Sequence, residues 1–232
     1  AAKLINDELS DASKRDVAFA LSLSGHEDAE HYLIDSLLSL SQMANKDDMN
    51  SDLQKVRLMV ALSGNGRVTE QGFQTLASFA ENPHESDNVR NNALINLGST
   101  LQQLQNQGQD SAGLSDQLSA SLSQALAGEN ASSAILAAGN AKLNHLDQQI
   151  IAKLLSSNSK ERYAAASVLA RNADYNDDLI RHLSTEPSDL VNYAILTNLK
   201  TESLTNQQKD TLLDISTRTR PDISQVIEQI IK

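Results

Sequence analysis

The 232 residues carry 30 acidic against 19 basic side chains, a formal net charge of -11, with 40% hydrophobic and only 3% aromatic residues. Such a balance repels phosphate backbones and anionic leaflets, and platforms for stacking bases are nearly absent, so no nucleic-acid partner is expected. Cysteine is missing, which excludes disulfides and thiolate metal sites, and no apolar run is long enough for a transmembrane helix.

Ala1-Ala2-Lys3 opens the chain without Met, as expected of a processed form or of part of a longer protein. Three prolines and nine glycines leave long stretches free of breakers, which favours helices. A first apolar helical run closes at Leu23-Ser24-Gly25, and a second follows with Leu33, Ile34, Leu37, Leu38 and Leu40. The same phrase recurs. First runs close again at Leu62-Ser63-Gly64-Asn65, Leu97-Gly98, Ala138-Gly139-Asn140, Leu169-Ala170-Arg171-Asn172 and Leu199-Lys200. Their spacing of roughly 30 to 40 residues is that of stacked helix pairs.

Helical period supports each unit. Ala93, Leu97, Leu101 and Leu104 make one stripe, as do Leu114, Leu118, Leu122 and Leu126, and Leu146, Ile150, Ile151, Leu154 and Leu155. Units are expected over 12–43, 51–82, 85–127, 130–157, 159–186 and 188–218, with a closing amphipathic helix over 221–232 carrying Ile223, Val226, Ile227 and Ile230. Pro83, Pro187 and Pro221 fall just before or at helix starts. Thr205 with Gln208 fits a capping box, and Ser51-Asp52, Ser188-Asp189 and Asn130 supply N-cap oxygens. Gly64-Asn65-Gly66 suits a sharp turn with positive φ. The polar stretch from Gln105 to Gly113 is the loosest join, a hinge, an exposed tip or an ordinary long turn. Alanines 93, 134, 138, 164, 165, 166 and 194 let first helices approach closely, while larger Leu and Ile fill the layers. The expected fold is all-α: a right-handed α-solenoid of about six antiparallel helix pairs plus a C-terminal helix, with 1–232 a single helical-repeat domain.

Asp87-Asn88-Val89-Arg90-Asn91-Asn92-Ala93-Leu94-Ile95-Asn96-Leu97-Gly98 resembles the first helix of a HEAT repeat, where an Asp precedes Val-Arg, then Ala and Leu at helical spacing. Lys160 to Leu169 is similar, with Arg162 as far before Leu169 as Arg90 is before Leu97. Ser188-Asp189-Leu190-Val191-Asn192-Tyr193-Ala194 follows the pattern with Asn192 in place of Arg, and the first two units depart further. The likeness is strongest from about 85 to 200. It implies that Arg90 and Arg162 each reach an acid of a neighbouring unit and fix repeat stacking, and it places Leu97 and Leu169 in the layer between helices. The runs Ala93 to Ser99, Ile135 to Ala141, Arg162 to Leu169 and Ala194 to Lys200 also resemble the helical domain of vitellogenin-like large lipid transfer proteins. That second likeness implies a curved layer against lipid-carrying sheets, although neither such sheets nor the cysteines common in animal members are present.

Candidate chemistry is thin. His26-Glu27-Asp28-Ala29-Glu30-His31 places its histidines five apart, where a zinc helix needs four, and its acids suit a helix start. Asp174-Tyr175-Asn176-Asp177-Asp178 begins like a calcium loop, but Leu179 stands where Gly belongs and Thr185 where Glu belongs, so a turn and N-cap are expected. His84, His145 and His182 are scattered and read as solvated. Asn130-Ala131-Ser132 is a formal sequon of meaning only in a secreted eukaryotic protein. No phosphate loop or nucleophile elbow occurs. No catalytic residue, metal site or cofactor is therefore expected.

The composition and pattern lead to a non-enzymatic interaction or scaffold module that binds a protein segment on its second helices, with a basic partner suggested by net charge. The alternative is a lipid-carrying helical domain. An enzyme such as a bilin lyase or DNA glycosylase of helical-repeat type finds no acid–base cluster to support it.

Overall fold

A computed structural model describes residues 10–25, 27–43 and 49–231, and among them it contains thirteen α-helices and no strand. In chain order they are α1 (Asp11–Ser24), α2 (Glu27–Met43), α3 (Met49–Gly64), α4 (Glu70–Glu81), α5 (Asp87–Asn106), α6 (Ala112–Ala125), α7 (Ala131–Ala141), α8 (Asp147–Lys153), α9 (Ser159–Leu169), α10 (Asn176–Leu183), α11 (Asp189–Asn198), α12 (Asn206–Ser216) and α13 (Pro221–Ile230). Taken two at a time they give six pairs and a closing helix.

Local chemistry explains many of the boundaries. Ser10, Ser86 and Asn158 accept a backbone N–H from the first turns of α1, α5 and α9, which satisfies donors that a helix start leaves free. Thr205 and Gln208 form the reciprocal capping box of α12, and Pro221 opens α13 where its missing N–H is harmless. Gly25 ends α1 with φ 58°, a left-handed cap that other residues adopt only under strain. Ser51-Asp52 does not cap. Helix α3 begins two residues earlier at Met49, so Ser51 lies inside it and Asp52 places a carboxylate in its first turn. Asn130 directly precedes α7, and its backbone carbonyl accepts from Ala134.

Contacts divide the chain into two compact units, Ala1–Ala125 with Asn140–Leu143, and Leu126–Gly139 with Asn144–Lys232. In the N-terminal unit the first helices stack in succession, α1 on α3 and α3 on α5, while α2 lies against α3 and α4, and α4 against α5. Leu33, Leu37, Met59, Leu62, Phe73, Leu76, Leu97 and Leu101 fill the space between the two rows. In the C-terminal unit α9 packs on α11 and α11 on α13, with α10 on α12 in the second row and α8 against α9. Ile150, Leu169, Leu179, Ile195, Leu212 and Ile227 form its core.

Small residues sit where helices come closest. All seven alanines of the sequence pattern, 93, 134, 138, 164, 165, 166 and 194, are buried. A Cβ on Gly139 would stand 2.5 Å from Val168 Cγ2 and 2.7 Å from Cγ1, so only glycine lets α7 lie this near α9. The Gly64-Asn65-Gly66 turn needs no positive φ, contrary to expectation. A Cβ on Gly66 would make only an ordinary contact, 3.6 Å from Gly25 Cα in the preceding turn. The Gln105 to Gly113 stretch is an ordinary turn. Helix α5 runs to Asn106, Gly108 reverses the chain with φ 70°, and Gln109 Nε2 donates to Val68 O at 3.3 Å.

Candidate functional site

Buried ion pairs hold successive first helices together, and the fullest of them lies in the C-terminal unit. Arg162, on the first turn of α9, donates from Nε to Glu186 Oε2 at 2.8 Å and from Nη2 to Glu186 Oε1 at 2.9 Å. Glu186 precedes the N-cap of α11, so this fork spans two neighbouring helix pairs. Its side chain is fully buried and that of Arg162 is 11% exposed. Two more groups meet this carboxylate, and Arg162 makes a further bond away from it. His182 Nε2 lies 2.6 Å from Glu186 Oε2, Ser188 N donates to Oε1 at 2.8 Å, and Arg162 Nη1 donates onward to Ser156 O at 2.8 Å. His182 is thus a member of this cluster and not a solvated histidine.

Burial works against the Glu186 charge, but the hydrogen bonds from Arg162, the Ser188 amide and His182 outweigh it and hold its carboxyl below the usual range. Arg162 moves the other way, its guanidinium held more firmly protonated by the bond to Glu186. A carboxyl that is more acidic folded than unfolded stabilises the native state above its unfolded pKa of about 4.3, and that contribution drains away as pH falls through the lower native value. Urea midpoints measured against pH should therefore decline below about 4.3, and the decline should be shallower in Glu186→Gln.

A second example lies in the N-terminal unit. Lys55 on α3 reaches Glu85 Oε2 at 2.6 Å with both side chains almost wholly buried, and Ser41 on α2 donates to Glu85 Oε1 at 2.7 Å. Glu85 also precedes an N-cap serine, Ser86, whose hydroxyl donates to Asp52 on α3. Arg90, the residue the HEAT-like pattern marks, is differently placed. It pairs with Asp87 on its own helix, and its Nε is buried without a partner. Leu97 and Leu169 both lie in the core, at 3% and 1% exposure. Arg220, at the N-cap of α13, pairs with Asp189 of α11 as well, but this pair is exposed to solvent.

Glu30 is a residue that local reading places wrongly. It is 1% exposed, and its Oε1 accepts from Thr69 N at 2.7 Å and Thr69 Oγ1 at 3.1 Å, at the start of α4. It therefore serves the positive end of the next second helix and not the start of its own. Gly72 makes room, since a Cβ there would meet Glu30 Oε1 at 2.5 Å. His26 lies outside the described residues. His31, His84 and His145 are exposed, and among the described residues no three His, Cys, Asp or Glu side chains gather as metal ligands would. In the Asp174 to Asp178 run the carboxylates diverge: Asp177 accepts from Gln208 at 2.7 Å and Asp178 from Arg181 at 3.1 Å. The neighbouring Tyr175 donates its phenol proton to Asp147, and this bond first, then burial, pushes the phenol up to about 12.

Two surfaces stand apart from these structural contacts. Helices α2, α4 and α6 of the N-terminal unit contain no Lys or Arg, while Asp28, Asp35, Glu70, Glu81 and Asp116 are exposed on them. Helix α2 packs on α4, and Gln74 Nε2 donates to Gln117 Oε1 at 3.3 Å between α4 and α6, so the three present one acidic row. Periodicity alone did not reveal this row; the absence of cations from every second run of the first three units would have done so. The other surface is a groove of about 590 Å³ between α10 and α12, with Ile180 and Ile215 at its base and Arg181, Asp177, Gln208 and Arg218 among its walls. Large apolar side chains are exposed elsewhere, among them Phe19 and Leu23 of α1 and Leu53 and Val60 of α3. No described helix is long and apolar enough to cross a membrane. No protein-family model matches the chain, and no curated protein matches it in sequence.

Proposed function

We propose that this chain is a non-catalytic interaction module, a right-handed α-solenoid of HEAT type whose second helices form a concave binding face, and that the face takes a basic protein segment. The observation that carries the reading is the cation-free row of α2, α4 and α6. A surface of one sign attracts an oppositely charged segment, speeds its encounter and rejects acidic competitors. Support for the array comes from the row-on-row packing of helices inside each unit, and repeat arrays present extended surfaces of this kind.

The test is fluorescence anisotropy with a labelled Lys/Arg-rich peptide. Combined Asp35→Lys, Glu70→Lys and Glu81→Lys changes should weaken binding by roughly tenfold or more, about 1.4 kcal/mol, without loss of helical circular dichroism. Raising the salt should weaken wild-type binding too. Salt-insensitive binding, or equal affinity for an acidic peptide, overturns the proposal. A lipid-carrying role draws on one observation, the exposed Phe19, Leu23, Leu53 and Val60. Mass spectrometry of natively purified protein decides it by finding lipid or finding none.

A further inference from the structure

The acidic row has a middle line on which carboxylates and amides stand at one height. Helices α2 and α4 run in the same direction. Glu30 near the start of α2 accepts from Thr69 at the N-cap of α4, and Ser41 near the end of α2 donates to Glu85 beyond the end of α4. Asp35 lies five residues after Glu30 and Gln74 five after Thr69, so the two reach the same height on neighbouring helices. Helix α6 continues the line. Gln109 Nε2, ahead of α6, donates to Val68 O, ahead of α4, and further up Gln74 Nε2 donates to Gln117 Oε1 at 3.3 Å. Asp116, next to Gln117 in sequence, brings a second carboxylate to that height. Asp35, Gln74, Asp116 and Gln117 are all exposed. Across three helices the line therefore reads carboxylate, amide, amide, carboxylate.

This spacing selects a conformation for the partner. Packed helices lie about 10 Å apart, so two steps separate Asp35 from Asp116 by about 20 Å. An extended chain rises about 3.3 Å per residue, so about six residues cover that distance. Side chains alternate along such a chain, and residues six apart point to the same side. Two basic side chains at that separation reach both carboxylates from one strand, whereas adjacent ones cannot. Between them, the bridge occupies Gln74 Nε2 and Gln117 Oε1, which leaves Gln74 Oε1 as an acceptor and Gln117 Nε2 as a donor for the strand's own backbone. Glu70 and Glu81 stand at the two ends of α4, off the line, where they add attraction without setting the spacing. With no Lys or Arg on the three helices, no cation of the face itself competes for the two carboxylates. We propose that the acidic face takes its partner as an extended strand laid across α2, α4 and α6, with basic side chains six residues apart on Asp35 and Asp116 and the backbone between them on the Gln74–Gln117 pair. The proposal rests on the acidic-face reading and adds to it the partner's conformation and charge spacing.

The experiment is a ¹⁵N NMR titration of the whole chain at low salt with two blocked heptapeptides of one composition. The first, N-acetyl-Arg-Ser-Ser-Ser-Ser-Ser-Arg amide, has its charges six apart, and the second, N-acetyl-Ser-Ser-Arg-Arg-Ser-Ser-Ser amide, has them adjacent. The spaced peptide should bind about fivefold more tightly, the scale of one exposed ion pair gained, and should shift the Gln74 and Gln117 side-chain NH₂ resonances. Asp35→Asn and Asp116→Asn should each abolish the preference. The double change Glu70→Gln with Glu81→Gln should weaken both peptides alike and leave the preference standing. All four positions are exposed, so each variant should keep the wild-type helical circular dichroism. Equal binding of the two peptides, a preference that survives Asp35→Asn or Asp116→Asn, or one that disappears in the Glu70→Gln, Glu81→Gln variant would overturn the strand placement. The anisotropy measurement with the Lys/Arg-rich peptide tells the two failures apart. If that peptide binds in a salt-dependent way while the heptapeptides do not differ, the placement alone is wrong. If it does not bind, the acidic-face reading falls and the placement with it.

Discussion

Replacing Glu186 by Gln should destabilise the protein by about 3–5 kcal/mol, the usual cost of leaving one member of a buried ion pair uncompensated. The cost is high because Glu186 is fully buried and Arg162 nearly so, and the guanidinium keeps its charge at any ordinary pH. The glutamine amide keeps one acceptor oxygen where the carboxylate has two, so the Ser188 amide and His182, which meet different oxygens, cannot both keep theirs. Urea titration followed by circular dichroism would show it as a lower midpoint with an unchanged slope. The paired change Arg162→Met with Glu186→Leu should recover most of the loss, since a buried pair exchanged for apolar groups of similar volume is often neutral or better. If Glu186→Gln alone keeps wild-type stability, the cluster is not what joins α9 to the start of α11.

Leu169→Ala is the second change with a large expected effect, about 2–5 kcal/mol. Leu169 is 1% exposed at the end of α9, which touches α8 on one side and α11 on the other. The cavity is therefore shared between layers. In a stacked array the damage should not stay on one helix: amide exchange should quicken in α8 and α11 as well as in α9. Loss of protection in α9 alone would contradict the packing described. Leu97→Ala should behave in the same way in the N-terminal unit, spreading from α5 to α3 and α4.

The sequence predicts the helices well because their signals are local. Leucine and alanine period, serine and threonine caps and Pro221 each act within a turn of where they stand. Six units and a closing helix are legible from those signals, and the observed helices fall inside nearly the same bounds. The partners of charged residues are not legible in that way. Glu30 reads as a helix-start acid, yet its carboxylate serves Thr69, 39 residues later. Arg90 and Arg162 occupy the same place in the repeat pattern, yet the first pairs inside its own helix and the second crosses to the next pair. Spacing along a chain cannot separate these outcomes, since they depend on which carboxylate the packing brings near. One clue is visible afterwards: Glu85 and Glu186 each stand one or two residues before a Ser-Asp helix start.

The position of those two glutamates has a practical consequence for anyone dissecting the chain. The obvious places to cut are the joins between helix pairs, after Asn82 or before Pro187. A fragment ending at Asn82 would keep Lys55 but lose Glu85, stranding an ammonium inside its own core. A cut at the end of α10 would likewise part Arg162 from Glu186, whereas one placed just before Pro187 leaves Glu186 as the last residue of the piece that holds Arg162 and keeps the pair together. Each stable fragment must therefore carry the first residues of the segment that follows it. The working module is a helix pair together with the threshold of the next.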